Sequence, residues 1–230
     1  MPKPAILPEL DASAYDPDCR RCPRLAAFRD EVKAEYPAYW CRPVPPFGAA
    51  HAQLVIVGLA PGMHGANATG RPFTGDYAGV LLYETLHDFG YATSPLSRTL
   101  ADRLELVDCR ITNAVKCLPP ENKPIPVEVA NCNSYLAADL AALPRDGAVL
   151  ALGRIAHDAA LVALGERRAH HRFGHAVRHD LPGGVVLFDS YHCSRYNTNT
   201  GRLTRAMFRD VFVAIARHLG RPLPADAAAA

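Results

Sequence analysis

The sequence predicts an α/β fold in which a mostly parallel β-sheet lies between layers of helices. Four short segments rich in Val, Leu and Ile have the length and composition of buried strands: residues 53–59, 110–116, 148–152 and 185–190. Five segments have the apolar spacing of helices: residues 23–35, 76–89, 126–143, 155–164 and 203–219. The alternation of strands and helices favours parallel strands, whose functional loops lie outside their carboxyl ends.

Each predicted strand ends in a polar or glycine-rich turn. The strand at 53–59 opens into a glycine-rich loop that reaches the helix at 76–89. The strand at 110–116 runs directly into Cys117, and the strand at 148–152 ends in Gly153 and Arg154 at a helix start. The last strand leads through a polar loop into the final helix. If the strands are parallel, the polar and glycine-rich turns that follow them lie together at one edge of the sheet.

Composition and charge exclude several classes of protein. Of the 230 residues, 49% are hydrophobic and 21% are charged, which is typical of a globular protein and not of a disordered or fibrous one. The most apolar stretch, residues 136–143, is far shorter than the roughly 20 residues that span a bilayer. The N-terminal residues do not have the pattern of a signal peptide, so we expect a cytoplasmic protein. We expect one domain over residues 1–221 and a flexible tail over residues 222–230. The net charge of +2 is too small to indicate nucleic-acid binding.

Four cysteines have the pattern of a metal centre. Cys19 and Cys22 form a C-x2-C pair, and Cys117 and Cys132 follow much later in the chain. In a reducing compartment such thiolates favour metal ligation over disulfides. Because only the first pair is tight, spacing leaves zinc and an iron–sulfur cluster both open. The other three cysteines are expected to be packing residues: Cys41, Cys109 and Cys193.

Two loops carry the residues that are best suited to binding or catalysis. Residues 58–76 are glycine-rich but lack the lysine of a triphosphate-binding loop, while Phe73 offers an aromatic face for a planar base. In the loop after the last strand, His192 is followed by three further polar residues: Ser194, Arg195 and Asn197. Arg154, at a helix start, is expected to contact phosphate. For the histidine-rich segment 167–179, a solvated basic surface that contacts phosphate is favoured over a zinc site.

Several motifs in order resemble the uracil-DNA glycosylase superfamily, most closely family 5 of its iron–sulfur branch. They are C-x2-C-P at 19–23, GLAPG and GRPFTGD within 58–76, VKCLPPENKP at 115–124, ALGRIA at 151–156, and SYHCSR and NTNTGRLT within 190–204. The resemblance implies a three-layer α/β/α sandwich around a four-stranded, mostly parallel sheet. It also implies a [4Fe-4S] cluster on four ligands: Cys19, Cys22, Cys117 and Cys132.

The implied activity is monofunctional excision of uracil from DNA, the first step of base-excision repair, with other deaminated bases such as hypoxanthine as further candidates. A monomer acting on damaged DNA is expected. No lysine stands out as a Schiff-base nucleophile, so the product is expected to be an intact abasic strand. The alternative is a non-catalytic iron–sulfur protein that binds damaged or single-stranded DNA.

The resemblance also implies roles for individual residues. Phe73 would stack on the extruded base, His192 would donate to it, and Asp76 with Asn122 would assist the reaction. Four further residues are expected to contact the DNA: Ser194, Arg195, Asn197 and Arg154. A second interpretation of Asp76 is a helix N-cap. The base-binding turn is expected to include three residues that are apolar where other branches carry a water-positioning group: Gly58, Ala60 and Pro61.

One position departs from the family 5 pattern. Thr112 and Asn113 precede the Val115–Cys117 block, as in the ITN pattern of family 4. An Asn side chain at that strand end can donate to and accept from the edge of uracil. We therefore expect Asn113 to bind the base and to narrow the preference toward uracil.

Overall fold

The computed structural model describes residues 15–225 and residue 227, and its centre is a six-stranded sheet in the order β1-β3-β2-β4-β6-β5. The strands are β1 Phe47–Gly48, β2 Leu54–Gly58, β3 Cys109–Asn113, β4 Ala148–Leu152, β5 Arg178–Asp180 and β6 Val186–Ser190. The helices are α1 Pro23–Glu35, α2 Ala66–Thr69, α3 Tyr77–Asp88, α4 Pro126–Ala141, α5 Arg154–Ala163, α6 Arg195–Asn199 and α7 Arg205–His218. No helix among the described residues is long and apolar enough to span a bilayer.

Two apolar layers cover the two faces of the sheet. Alternate side chains of β2, such as Leu54 and Ile56, pack against helices α3 and α7 on one face. The intervening side chains, Val55 and Val57, pack against α4 and α5 on the other face. Because both faces are covered, every residue of β2, β4 and β6 is buried. The α/β sandwich predicted from the sequence is confirmed.

The sheet differs from the prediction in having six strands instead of four. The four central strands, β3, β2, β4 and β6, are parallel as expected. Short antiparallel strands, β1 and β5, extend the two edges. They are two and three residues long, so neither shows an alternation of apolar residues that sequence could reveal.

Strand β3 is shorter than predicted, since it ends at Asn113 and not at Lys116. The chain leaves the sheet here because the next backbone N–H groups bond to the neighbouring loop. Ala114 N–H donates to Gly58 O at 2.9 Å, and Val115 N–H donates to Leu59 O at 3.0 Å. This turn carries Cys117 away from the sheet. In the predicted tail, residues 226 and 228–230 lie outside the described residues.

Candidate active site

A cleft of about 390 Å³ lies at the carboxyl ends of the parallel strands. Its lining brings together eight residues that the sequence singled out: Ala60, Phe73, Asp76, Asn113, Asn122, His192, Ser194 and Arg195. Four more lining residues were not foreseen: Leu59, Gly62, Tyr77 and Ala78. The size of the cleft suits a small planar ligand.

Two nearly parallel rings form one wall of the cleft. The Phe73 and His192 ring centroids lie 6.0 Å apart, with 28° between the ring planes. Phe73 has a left-handed backbone with φ of 58° and is 6% exposed. Such a conformation is unusual for a bulky residue and must be imposed by the surroundings.

Arg71 holds the loop that presents Phe73. Its Nη2 atom lies 2.8 and 2.7 Å from the two carboxylate oxygens of Asp102 and donates to Thr99 O at 2.8 Å. On the strand side, a Cβ on Gly58 would lie 2.8 Å from Phe73 Cζ and 2.4 Å from Asn113 Oδ1. Only glycine at this position lets the Phe73 and Asn113 side chains approach the strand end so closely. Gly58 and buried Pro61 thus lie behind the lining of the cleft and are not part of it.

His192 is half-buried in the wall of the cleft, where the neutral imidazole is favoured. Burial lowers the pKa of His192 to about 4, because an imidazolium would lose its hydration in this cleft. The Asn197 amide donates to His192 O at 2.8 Å and fixes the loop. A neutral imidazole donates from one ring nitrogen, so His192 can offer one N–H to a ligand.

The glycine-rich loop wraps around the Asp76 carboxylate. A Cβ on Gly65 would lie 1.9 Å from Asp76 Oδ1, and Ala66 N–H donates to Oδ2 at 3.2 Å. Burial raises the pKa of Asp76, while the Ala66 hydrogen bond and the charge of His64 oppose that rise. Asp76 occupies the N-cap position of α3, yet its side chain makes no capping hydrogen bond. The carboxylate faces the cleft instead.

Asn113 and Asn122 supply the amide groups of the cleft. The Oδ1 atom of Asn113 is buried without a hydrogen-bond partner among the described residues. A buried acceptor without a partner is unfavourable, so this oxygen is prepared for a ligand N–H. Asn122 comes from a tight turn in which Glu121 and Asn122 have φ of 54° and 57°. This strained turn carries the Asn122 side chain to the lining.

The rim of the cleft contains the residues proposed to contact DNA. The Arg195 guanidinium stacks on the Tyr77 ring at 4.8 Å, and Tyr77 is 43% exposed. Ser194 caps helix α6 by accepting from Asn197 N–H at 3.4 Å. Arg154 starts helix α5 outside the lining and bonds to Asp158 at 3.3 Å. Ser194 therefore shapes the loop and borders the cleft, whereas Asn197 shapes the loop from outside the lining.

The four candidate metal ligands line one small cavity beside helix α1. It is bordered by Cys19, Cys22, Cys117 and Cys132. Within the described range, one group of three metal-ligating side chains has donor atoms within 4.8 Å of one another, and it contains none of these cysteines. A single zinc ion would hold four thiolate sulfurs roughly 3.8 Å apart. No three of the four sulfurs lie within 4.8 Å of one another, so their arrangement differs from that around a single zinc ion. The other cysteines are buried in the packing as expected: Cys41, Cys109 and Cys193.

The group of three metal-ligating side chains is a buried network beneath the His192 loop. It is formed by Asp189, His157 and His179. Asp189 contacts His157 Nδ1 at 2.7 Å and His179 Nε2 at 3.0 Å. His157 Nε2 lies 2.9 Å from His171 O. Burial lowers the pKa of His157, but the hydrogen bond and charge of Asp189 outweigh it and the net change is upward. Part of the histidine-rich segment is thus internal, contrary to the surface predicted for it.

Comparisons with known proteins agree with this geometry. The family model for the uracil DNA glycosylase superfamily matches residues 45–216. A type-5 uracil-DNA glycosylase of Thermus thermophilus is 47% identical over 88% of this chain and 94% of its own. Those of Pyrobaculum aerophilum and Mycobacterium bovis are 45% and 44% identical, over 81% and 84% of this chain and 83% and 75% of their own. A fold, a cleft and relatives that coincide over most of the sequence show that the chain belongs to the uracil-DNA glycosylase superfamily.

Proposed function

We propose that the protein is a monofunctional uracil-DNA glycosylase that hydrolyses the bond between uracil and deoxyribose. The observation that carries the proposal is the convergence of Phe73, Asn113, His192 and Asp76 on one cleft. An aromatic face, an amide, a neutral imidazole and a carboxylate are the groups that this reaction needs. The relatives named above support the assignment.

The base must leave the duplex before it can enter the cleft. Extrusion costs a few kcal/mol, and less for a mismatched base such as uracil opposite guanine. The ring then stacks against Phe73, and the Asn113 Oδ1 accepts from its N3–H. Arg195 and Tyr77 at the rim contact the flanking strand.

Bond cleavage leaves negative charge on the base and positive charge on the sugar. The His192 N–H donates to the base oxygen as that charge develops, which stabilises the leaving group. The Asp76 carboxylate supports the cationic sugar or orients the attacking water, with Asn122 assisting. Water becomes the hydroxyl on the sugar, and the DNA strand stays intact.

The four-cysteine cavity would hold a [4Fe-4S] cluster through Cys19, Cys22, Cys117 and Cys132. Bound there, the cluster would fasten helix α1 to the loop after β3 and to α4. We further propose that residues 1–221 act as one domain, as a monomer in the cytoplasm, on DNA containing uracil or other deaminated bases.

The test incubates the purified protein with an end-labelled duplex that carries one G:U pair and then adds alkali, which cleaves abasic sites. We expect cleavage after alkali with the parent and a loss of about 10²–10³-fold in rate with His192→Ala. The His51→Ala variant is the matched control and should retain the parental rate, since His51 is exposed and precedes β2, at the edge of the sheet opposite the cleft. Binding without cleavage on G:U and on a panel of other damaged bases would instead support a damage-binding protein.

A further inference from the structure

The cavity bordered by the four cysteines also contains two buried hydrogen-bond donors that have no acceptor. They are Arg29 Nε and the Tyr135 hydroxyl, and neither has a partner among the described residues. Arg29 is 4% exposed and Tyr135 is 5% exposed. Because buried polar groups are nearly always paired, two unpaired donors at one cavity indicate an acceptor that belongs there.

The positive charge of Arg29 also indicates that an acceptor belongs in this cavity. Other shielded arginines have carboxylate partners, such as Arg71 with Asp102. Arg29 has no such ion pair within residues 15–225, and its guanidinium donates instead to the backbone Cys19 O at 2.9 Å. An uncompensated buried cation is strongly destabilising. An anion must therefore lie beside it.

The neighbouring thiols identify where that anion lies. All four thiols line the same cavity as the two donors, and the Arg29 guanidinium donates to the backbone O of one of these residues, Cys19. Tyr135 lies three residues after Cys132 on helix α4, so both side chains are on the same face of the helix and line this cavity. The guanidinium and the hydroxyl thus both face the sulfurs.

We propose that Arg29 is the internal counter-charge of the iron–sulfur cluster and that Tyr135 is a hydrogen-bond donor to its sulfurs, so that together they raise its reduction potential and retain it. This inference rests on the proposed cofactor. Four thiolates on a [4Fe-4S]²⁺ core carry a net charge of about −2, and one-electron reduction makes it about −3. A nearby cation stabilises the more negative state, so removing Arg29 lowers the potential.

The variants are Arg29→Met and Tyr135→Phe, which delete the charge and the single hydroxyl with little change of volume. Arg20→Met is the matched control, since Arg20 follows Cys19 directly but is 61% exposed and paired with Asp30 at 2.5 Å. Arg29→Lys restores the charge without the Nε donor and shows whether charge or hydrogen bonding dominates.

The measurements are iron and sulfide per chain, the reduction potential by spectroelectrochemical titration, and the rate at which the visible absorbance bleaches in air. We expect the redox equilibrium of Arg29→Met to shift at least tenfold toward the oxidised form, which is about 59 mV for one electron. Tyr135→Phe should shift in the same direction by a smaller factor and bleach faster than the parent. Arg20→Met should match the parent.

A parent that contains the cluster, with Arg29→Met and Tyr135→Phe at the parental potential and bleaching rate, overturns this inference alone. A parent without iron overturns the cofactor proposal as well, and the two failures are thus distinguishable. If Arg29→Met loses its cluster but keeps its circular dichroism, and Arg29→Lys regains iron, the counter-charge role is supported.

Discussion

At the scale of single residues, burial shifts the pKa values of His192 and Asp76 in opposite directions, and in both cases it disfavours the charged form. It lowers the pKa of His192 to about 4 and raises the pKa of Asp76 above the ordinary range of an aspartate. The imidazole is therefore already in its neutral form at physiological pH. The carboxylate is ionised only once the pH exceeds its raised pKa, so the two groups are competent together on the alkaline side of that value.

The pH dependence of activity follows from Asp76. Its ionised form is the active one, so a raised pKa moves the acidic decline of the rate to a higher pH than a surface aspartate would give. The Asp76→Asn variant should be slow and should lack this decline. Single-turnover rates between pH 4.5 and 8.5 measure it, and an unchanged acidic decline in Asp76→Asn would assign the titration to another group.

Asp76 is also expected to reduce stability in exchange for activity. A buried acid whose pKa is raised in the fold stabilises the folded state at low pH and loses that contribution as the pH rises through the folded pKa. Asp76→Asn should therefore unfold at a higher temperature than the parent at pH 8, with a smaller difference at pH 4. Thermal unfolding at both pH values is the measurement, and a less stable variant at pH 8 contradicts the argument.

Base selection is expected to depend on Asn113. Its buried, unpaired Oδ1 matches a base N–H, and one good pair of hydrogen bonds discriminates by about 1–3 kcal/mol. Asn113→Ala should lower uracil release about tenfold or more and should lower hypoxanthine release less. Single-turnover rates on the two substrates give the ratio, and an equal ratio in parent and variant refutes the uracil preference.

At the scale of elements, the helices and central strands follow closely from the sequence. Helix α1 and strand β4 have the predicted bounds, because Pro23 starts the helix and Gly153 ends the strand. The pairing of His157 on α5 with Asp189 on β6 could not be predicted, since 32 residues separate them and only the folded sheet brings them together. Arg29 and Tyr135 were overlooked for the same reason. The lining residue Tyr77 had a weak signal, since it directly follows Asp76.

The loop carrying Phe73 should depend on its connection to the segment around Asp102. Breaking a buried ion pair by removing one partner typically costs about 3–5 kcal/mol, so Arg71→Leu should lower the free energy of unfolding by that order and release Phe73. The control is Arg205→Leu, which breaks an exposed pair with Glu84 and should cost at most about 1 kcal/mol. Urea unfolding compares them, and equal losses would show that the connection is not special.

At the scale of the whole molecule, the cysteine cavity joins three separate parts of the chain. Cys19 and Cys22 precede helix α1, Cys117 follows β3, and Cys132 lies in α4. Apart from packing, helix α1 is tied to α4 by the Arg24–Glu128 ion pair at 2.8 Å. Loss of the cluster should therefore loosen α1 before it disturbs the sheet.

Cys132→Ser tests this connection. The variant should lose iron and become more sensitive to trypsin at the basic residues of α1, while the sheet keeps its circular dichroism. Cys41→Ser removes a buried thiol outside the cavity and should retain iron. Mass spectrometry of the early fragments locates the cleavage. First cuts elsewhere than α1 would show that the cluster supports a different part of the fold.

The turn that follows strand β3 limits how the substrate preference of the protein can be redesigned. Asn113 borders the cleft and Cys117 borders the four-cysteine cavity, so the five residues 113–117 serve recognition and cofactor retention at once. Grafting this turn from a relative with another base preference would exchange both properties together. The Gly58–Asp76 loop contains no cysteine, which makes it the better place to begin a change of substrate.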